Sequence, residues 1–342
     1  MLTCKYTEIK KERMLDMNNN FGKVFFSAIM VASLTLSITP ATAADFPEKA
    51  ITIIVNWPAG GGQDTSARLI ADWASKRSAV PIIVSNVTGA GGANGIRAAA
   101  EAVADGYTIG IMGSSFVARG YINKNATPLD DIDPLVFFGP DPGALEVRAD
   151  TGIKTVQEYI DKLKAEPGSI LNGNDAPGGS SHIFAALFEN AFDVKMTKVP
   201  YQGYSPTVAA IISGEVNSAT LPVHQLSDQH KAGDVRILAV AAAERHFLAP
   251  DVPTFNEIGL DFVAGDWRAL FAPNGLPKEA RTYLESLFMD TLSDPEFKMA
   301  AQKVGFMVTP MPSAETKAWI VAHDEAVYPI LLDAGMVKAR KK

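Results

Sequence analysis

Residues 51–76 read ITIIVNWPAGGGQDTSARLIADWASK. The unbroken run Ile51, Thr52, Ile53, Ile54 and Val55 fits a strand buried on both faces. Pro58, Gly60, Gly61 and Gly62 then form a turn, and a helical pattern begins near Asp64 or Thr65. Strand, glycine turn and helix make the unit of an α/β protein. Glycines at such a turn let backbone N–H groups come close to a ligand, and the helix start favours negative charge. The segment is thus an anion cradle in geometry, or else an ordinary turn capped by Asp64. It lacks the Lys-Ser/Thr pair of a nucleotide-binding P-loop.

Working outward, short apolar runs alternate with amphipathic ones to about residue 332. Strands are expected at 51–55, 82–85, 107–112, 135–138, 197–200, 235–241 and 269–272. Helices are marked by the capping box Thr155, Val156, Gln157 and Glu158, by the face Ile183, Phe184, Leu187 and Phe188, and by Ser205 as N-cap before Pro206. Later helices open at Pro277 and at Ser313, the latter ending at Gly335. The expectation is an α/β protein with mainly parallel sheets. At 342 residues a single core is near its limit, so two lobes of roughly 120 to 180 residues are expected. Crossings between them fall at 139–147 and 262–268, with no flexible tether.

A second loop of the same kind lies at 170–188, ILNGNDAPGGSSHIFAALF. Here Asn172, Asn174, Gly178 and Gly179 precede Ser180 and Ser181 at a helix start, where hydroxyls and N–H groups can hold a carboxylate. One such loop in each lobe would set two helix N-termini face to face across a cleft. Ser114 and Ser115 after the strand ending at Met112, Tyr201 to Gly203, and Leu221, Pro222 and His224 could complete that cleft, with Trp57 and Trp267 as walls.

The first 44 residues differ from the rest. A polar start at 17–23, an apolar run at 24–38 and small residues before Asp45 make a secretory signal peptide, cut after Ala43 or Ala44. Residues 1–16, with the sole cysteine Cys4, read as an over-extended start. The exported protein would then carry no cysteine, which suits an oxidising compartment. Losing five basic and three acidic leader residues moves the net charge from -7 to -9. An acidic chain without a basic run argues against nucleic acid or an anionic membrane as partner. Lys338, Arg340, Lys341 and Lys342 read as a solvated tail, and Asp130, Asp131, Asp133 and Asp141 as a solvated acidic surface.

Enzymatic patterns are weak. Gly89 to Gly95 nearly spell G-x-G-x-x-G, but Asn94 takes the last glycine position. Ser180 with His182 forms no nucleophile elbow, and His182, His224, His230, His246 and His323 lack zinc-site spacing.

Taken in order, FPEKAITIIVNWPAGGGQDTSARLIA, NVTGAGGANG, DGYTIGIMGSS, NGNDAPGGSSH, VPYQG, LAV with APDVPTFNEIGL, and DWRALFAPNGLPKE resemble the Bug family. These are the extracytoplasmic solute-binding receptors of tripartite tricarboxylate transporters. The resemblance covers the chain from Phe46 to the last helix. It implies a type II periplasmic-binding-protein fold, with residues 45–142 and 267–342 in one lobe and 143–266 in the other. It also implies a periplasmic monomer without cofactor or metal that closes on a small carboxylate and delivers it to two membrane permease subunits. A sensory partner of a membrane kinase is the second reading, and a hydrolase using Ser180 or Ser181 with His182 the third.

Carried over by position, the ligand-facing residues are Trp57, Pro58, Ala59, Gly60, Gly61, Gln63, Asp64, Ser114, Ser115, Asn174, Gly179, Ser180, Ser181, His182, Tyr201, Gly203, Leu221, Trp267 and Arg268. Leu221 and Pro222 replace a frequent Asp-Asn pair, which argues against a ligand amine. Arg268 either pairs a second ligand carboxylate in the cleft or lies on the surface.

Overall fold

The computed structural model describes residues 46–333 and 335–340. The expected leader, its cleavage site and Cys4 lie outside the described residues. In chain order the strands are β1 (Ile51–Val55), β2 (Ile82–Asn86), β3 (Thr108–Met112), β4 (Ile132–Pro142), β5 (Ala144–Arg148), β6 (Leu171–Asp175), β7 (Thr197–Tyr201), β8 (Ser218–Ala219), β9 (Val235–Val240), β10 (Gly265–Pro273) and β11 (Met311–Pro312). The helices are α1 (Gly62–Ser75), α2 (Ala93–Ala100), α3 (Ser114–Ile122), α4 (Val156–Ala165), α5 (Ser180–Phe192), α6 (Tyr204–Ser213), α7 (Ser227–Ala232), α8 (Lys278–Ser293), α9 (Pro295–Lys303) and α10 (Ser313–Asp333).

The strands form two sheets. One is six-stranded in the order β11-β4-β10-β3-β1-β2, the other five-stranded in the order β7-β6-β8-β5-β9. The first draws on both ends of the described chain and the second on its middle. β1 pairs in parallel with β2 (Ile51 opposite Ile82) and with β3 (Thr52 opposite Thr108). β6 is parallel to β7 and β8. The sheets are mixed rather than mainly parallel, because β10 runs antiparallel to β3 and β4, and β5 runs antiparallel to β8 and β9. These antiparallel pairs all involve β4, β5 or β10, the strands that carry the chain from one sheet to the other and back.

Period-two alternation in β1 explains the first core. Ile51, Ile53 and Val55 pack with Ile70 of α1, Leu284 and Phe288 of α8 and Phe297 of α9, whereas Ile54 faces Ile96, Phe116, Tyr121 and Ile320 from α2, α3 and α10. The second sheet is covered by Tyr159, Phe184, Phe188, Phe255 and Phe262. Two crossings join the sheets side by side. Gly143 N–H donates to the Ala264 carbonyl (3.1 Å), and a Cβ on Gly265 would lie 2.7 Å from Gly143 N and 2.8 Å from the Asp141 carbonyl. Only glycine allows the strands to pass this closely.

Candidate functional site

Helices α1, α3, α5 and α6 each start just after the C-terminal end of a strand, β1, β3, β6 and β7. That is where α/β sheets place ligands. Each has glycine as N-cap (Gly61, Gly113, Gly179 and Gly203), and none has a side-chain cap. Their first N–H groups must find partners elsewhere. At α3 the partner is Asp266, which accepts from Ser114 N–H (2.8 Å) and Ser114 Oγ–H (2.9 Å). At α5 it is Asp175, which accepts from His182 N–H (2.9 Å); a Cβ on Gly179 would strike its carboxylate at 2.2 Å.

The starts of α1 and α6 instead open on one cavity. Trp57, Pro58, Gly61, Gly62, Gln63, Gln202, Gly203, Tyr204, Ser205, Pro206, Asp175 and Asp266 line it, and it measures about 320 Å³ with its mouth included. Its enclosed free space is about 20 Å³, on the order of one water. The two loops are close: Ser205 Oγ lies 3.5 Å from where a Cβ on Gly60 would stand, and Trp57 lies 3.6 Å from one on Gly203. Ser205 Oγ and Gln63 Nε2 have no hydrogen-bond partner. Wider depressions of about 700 and 1170 Å³ lie along α3 and α5, each with Lys or Arg side chains in its wall, and His182 from the first turn of α5 lines the second.

Charge is concentrated behind this cavity. Tyr204 Oη bonds Ser180 Oγ (2.6 Å) and donates to Asp266 Oδ2 (3.3 Å). Burial, and then the nearby carboxylates, push its phenol well above its ordinary value. Burial pushes Asp175 up to about 7; repulsion from Asp266 adds to this, and the His182 N–H and Arg119 oppose it. Arg119 is 4% exposed, its guanidinium lies 5.6 Å from the Trp57 ring centre, and none of its nitrogens has a hydrogen-bond partner. Burial lowers it to about 10, so it stays charged at neutral pH.

Of the residues expected at the ligand, Trp57, Pro58, Gly61, Gln63 and Gly203 line the cavity, while Ala59 and Gly60 lie exposed on the turn. Asp64 is turned back into its own loop, accepting from Gly60 N–H (2.9 Å), Arg68 (3.0 Å) and Asn86 (2.9 Å). Burial opposes its ionisation, but these partners hold its carboxyl below its ordinary value. Ser114 is bound to Asp266, and Ser115 is buried within α3. Ser181 Oγ accepts from Asp175 N–H (2.7 Å), and His182 Nδ1 meets Asn174 Oδ1 (2.9 Å). Asn174 also donates to Asn172. The His182 ring is therefore not placed to activate either serine, and burial lowers it to about 4.

Tyr201 points away to Glu215 (2.8 Å), and Leu221 sits in the core with its N–H on Glu146 (2.9 Å). Trp267 is a core residue, edge-on to Trp319 at 5.1 Å between ring centres, not a cavity wall. Arg268 takes neither expected place. It is 0% exposed, ion-paired with Asp141 and stacked on Phe306 at 4.7 Å. Asp141, expected on a solvated surface, is 2% exposed because it holds both Arg268 and His224 (3.0 Å). Gly91 and Gly92, with positive φ, bring the β2–α2 loop against Arg119 and Asn56, and Gly89 packs on Asn94, so the near-dinucleotide pattern serves packing.

Sequence reasoning missed Asp175, Asp266, Arg119 and Tyr204. It also took Ser205 as the cap of α6, whereas the helix starts at Tyr204 after Gly203. The signal for α6 was present as a third glycine turn before a helix. No local pattern marks the other three, because their partners are distant in sequence.

Two mixed α/β sheets joined by two crossings, with uncapped helix starts on a shared cavity, are the architecture of a solute-binding receptor of the periplasmic-binding-protein type. The family model for the tripartite tricarboxylate transporter family receptor matches residues 66–335, and the chain belongs to that family. It is 31% identical over 322 residues to a UPF0065 protein encoded in the TAR-I ttuE–ttuC' intergenic region of Agrobacterium vitis, covering 92% of this chain and 90% of that one. Among solved structures it is similar to the periplasmic binding protein BugD (TM-score 0.81, 25% identity, 86% of this chain and 100% of that one). It is also similar to MatC from Rhodopseudomonas palustris with bound malate (TM-score 0.75, 27% identity, 86% and 100%). This is a family of periplasmic receptors, not of enzymes. Among the described residues no helix is long and apolar enough to cross a membrane.

Proposed function

We propose that the chain captures one small organic carboxylate in the cavity between α1 and α6 and delivers it to the two permease subunits of a tripartite tricarboxylate transporter. The carrying observation is that two uncapped helix N-termini, one from each sheet, open into the same cavity. Free N–H groups at the starts of α1 and α6, Ser205 Oγ and Gln63 Nε2 are the donors for the carboxylate, between the Trp57 and Pro58 wall and Gly203. Malate in MatC is a ligand of this class.

Magnitudes say what must hold it. Micromolar affinity corresponds to about 8 kcal/mol. A partly buried helix dipole supplies at most about 2 kcal/mol, so two fall short. Three or four charge-assisted hydrogen bonds of about 1.5–3 kcal/mol each make up the difference. Because those donors come from both sheets, the carboxylate bridges residues 45–142 and 267–342 on one side and 143–266 on the other. It thereby favours the closed form of a periplasmic monomer. The protein binds and releases without turnover.

The test is a thermal-shift screen of mono-, di- and tricarboxylates and aromatic acids on the mature chain, followed by calorimetry. A bound ligand raises the melting temperature by mass action. Ser205→Ala weakens binding about tenfold, roughly one lost hydrogen bond, with the unliganded melting temperature unchanged. A protein that no carboxylate stabilises overturns the proposal.

A further inference from the structure

Two carboxylates form the far wall of the same cavity without a salt bridge to either among the described residues. Asp175 is 1% exposed and Asp266 6%, and both line the cavity. Their hydrogen-bond donors, the His182 N–H for Asp175 and Ser114 and the Tyr204 hydroxyl for Asp266, are all neutral. The titratable and charged groups around them come from α3, β10, α5, α6 and α10, the last through His323, which Asp266 acts on. Arg119 of α3 acts on both acids over a distance, and Arg268 of β10 acts on Asp266 but is already paired with Asp141. His182 of α5 is neutral at pH 7, as is Tyr204 of α6.

Two buried acids thus share one unpaired guanidinium that bonds neither, so ionising both leaves one negative charge uncompensated beside the cavity. Buried charge of this kind demands a partner. In its absence Asp175 keeps a proton up to about pH 7. A second, independent group lines the same cavity: Gln63, 3% exposed, has an Nε2 donor without a partner, and both it and Asp266 Oδ1 lie against Gly113.

We infer that the cavity is selective for a zwitterion, with the ligand's carboxylate at the starts of α1 and α6 and its ammonium group against Asp175 and Asp266. This rests on the reading of the cavity as a carboxylate site and narrows its substrate class to amino carboxylates. A dicarboxylate would bring its second anion against two acids. The missing Asp-Asn pair at Leu221 and Pro222 is no obstacle, since the acidic groups come from other strands.

Calorimetry on the mature protein with matched probes tests this: succinate against β-alanine and glutarate against γ-aminobutyrate, each pair exchanging a carboxylate for an ammonium. The better member of each binding pair is the amine, by about tenfold or more. An incoming ammonium also expels the proton from Asp175. Titrations at pH 6 in two buffers of different ionisation enthalpy then report proton release, up to one per ligand, which fades above pH 8. Affinity accordingly rises with pH by up to about tenfold per unit below pH 7. Asp175→Asn removes the proton release and reverses the preference within each pair. If that variant does not fold, the pair comparison and the proton count on the unaltered protein decide. Dicarboxylates that bind more tightly than their amino partners, or that take up protons, overturn the zwitterion inference and leave the carboxylate reading standing. Absence of binding by both classes overturns both.

Discussion

Arg268 shows how little a side chain's type says about its task. As an arginine just before the strand expected at 269–272 it suggested a ligand anchor or a surface group. In the fold it is fully buried under the start of α1, where Gly62 must be glycine because a Cβ there would meet Arg268 Nη2 at 2.5 Å. Asp141 pays the cost of that burial. Burial alone would raise its carboxyl, but the charges of Arg268 and His224 and their hydrogen bonds outweigh this and hold it at about 2. An acid whose folded value lies below its unfolded value of 3.8 stabilises the fold above that value. The contribution is lost as pH falls through about 2. Unfolding free energy measured by urea between pH 5 and pH 2 falls in that window, and Asp141→Asn flattens the slope. Arg268→Met leaves a buried carboxylate without its main partner and lowers stability by about 3–5 kcal/mol. A change near zero in urea unfolding would show that the pair is not structural.

Elements were the most legible level where periodicity is strong and local. β1 spans the expected 51–55, and α4 carries its expected capping box: Thr155 Oγ1 accepts from Glu158 N–H (3.1 Å), and Glu158 reaches back to Lys154 N–H (2.6 Å). Thr155→Ala is expected to cost about 1 kcal/mol in urea unfolding without affecting ligand affinity, since α4 lies away from the cavity. Strands β5 and β8 were not legible, because β5 follows β4 after a single residue and β8 has only two residues. Four helix starts share the same glycine N-cap, but which of them are free depends on acids from elsewhere. The start of α5 looked like the second half of the cradle and is occupied by Asp175, whereas α6 fills that role.

At the scale of the molecule, the two sheets communicate through two passing strands. A Cβ on Gly265 would press on backbone atoms that have no rotamer to yield, so Gly265→Ala costs about 1–3 kcal/mol and weakens ligand affinity by disturbing the crossing. Ligand affinity and stability that are both unchanged by calorimetry and urea unfolding would remove the crossing from the closure mechanism. Around these crossings the chain is acidic overall, and the proposed carboxylate would reach the cavity against that field. Screening over roughly 8 Å at physiological salt leaves local helix ends in charge. The sequence by itself determined the α/β class, the glycine turns and the family, since these rest on short-range periodicity, backbone freedom and ordered motifs. Only the tertiary structure decided which helix starts are open and which acids stand behind them. Asp175, Asp266 and Arg119 come from three strands or helices far apart in the chain, and Coulombic contact inside a low-dielectric core is set by proximity in space.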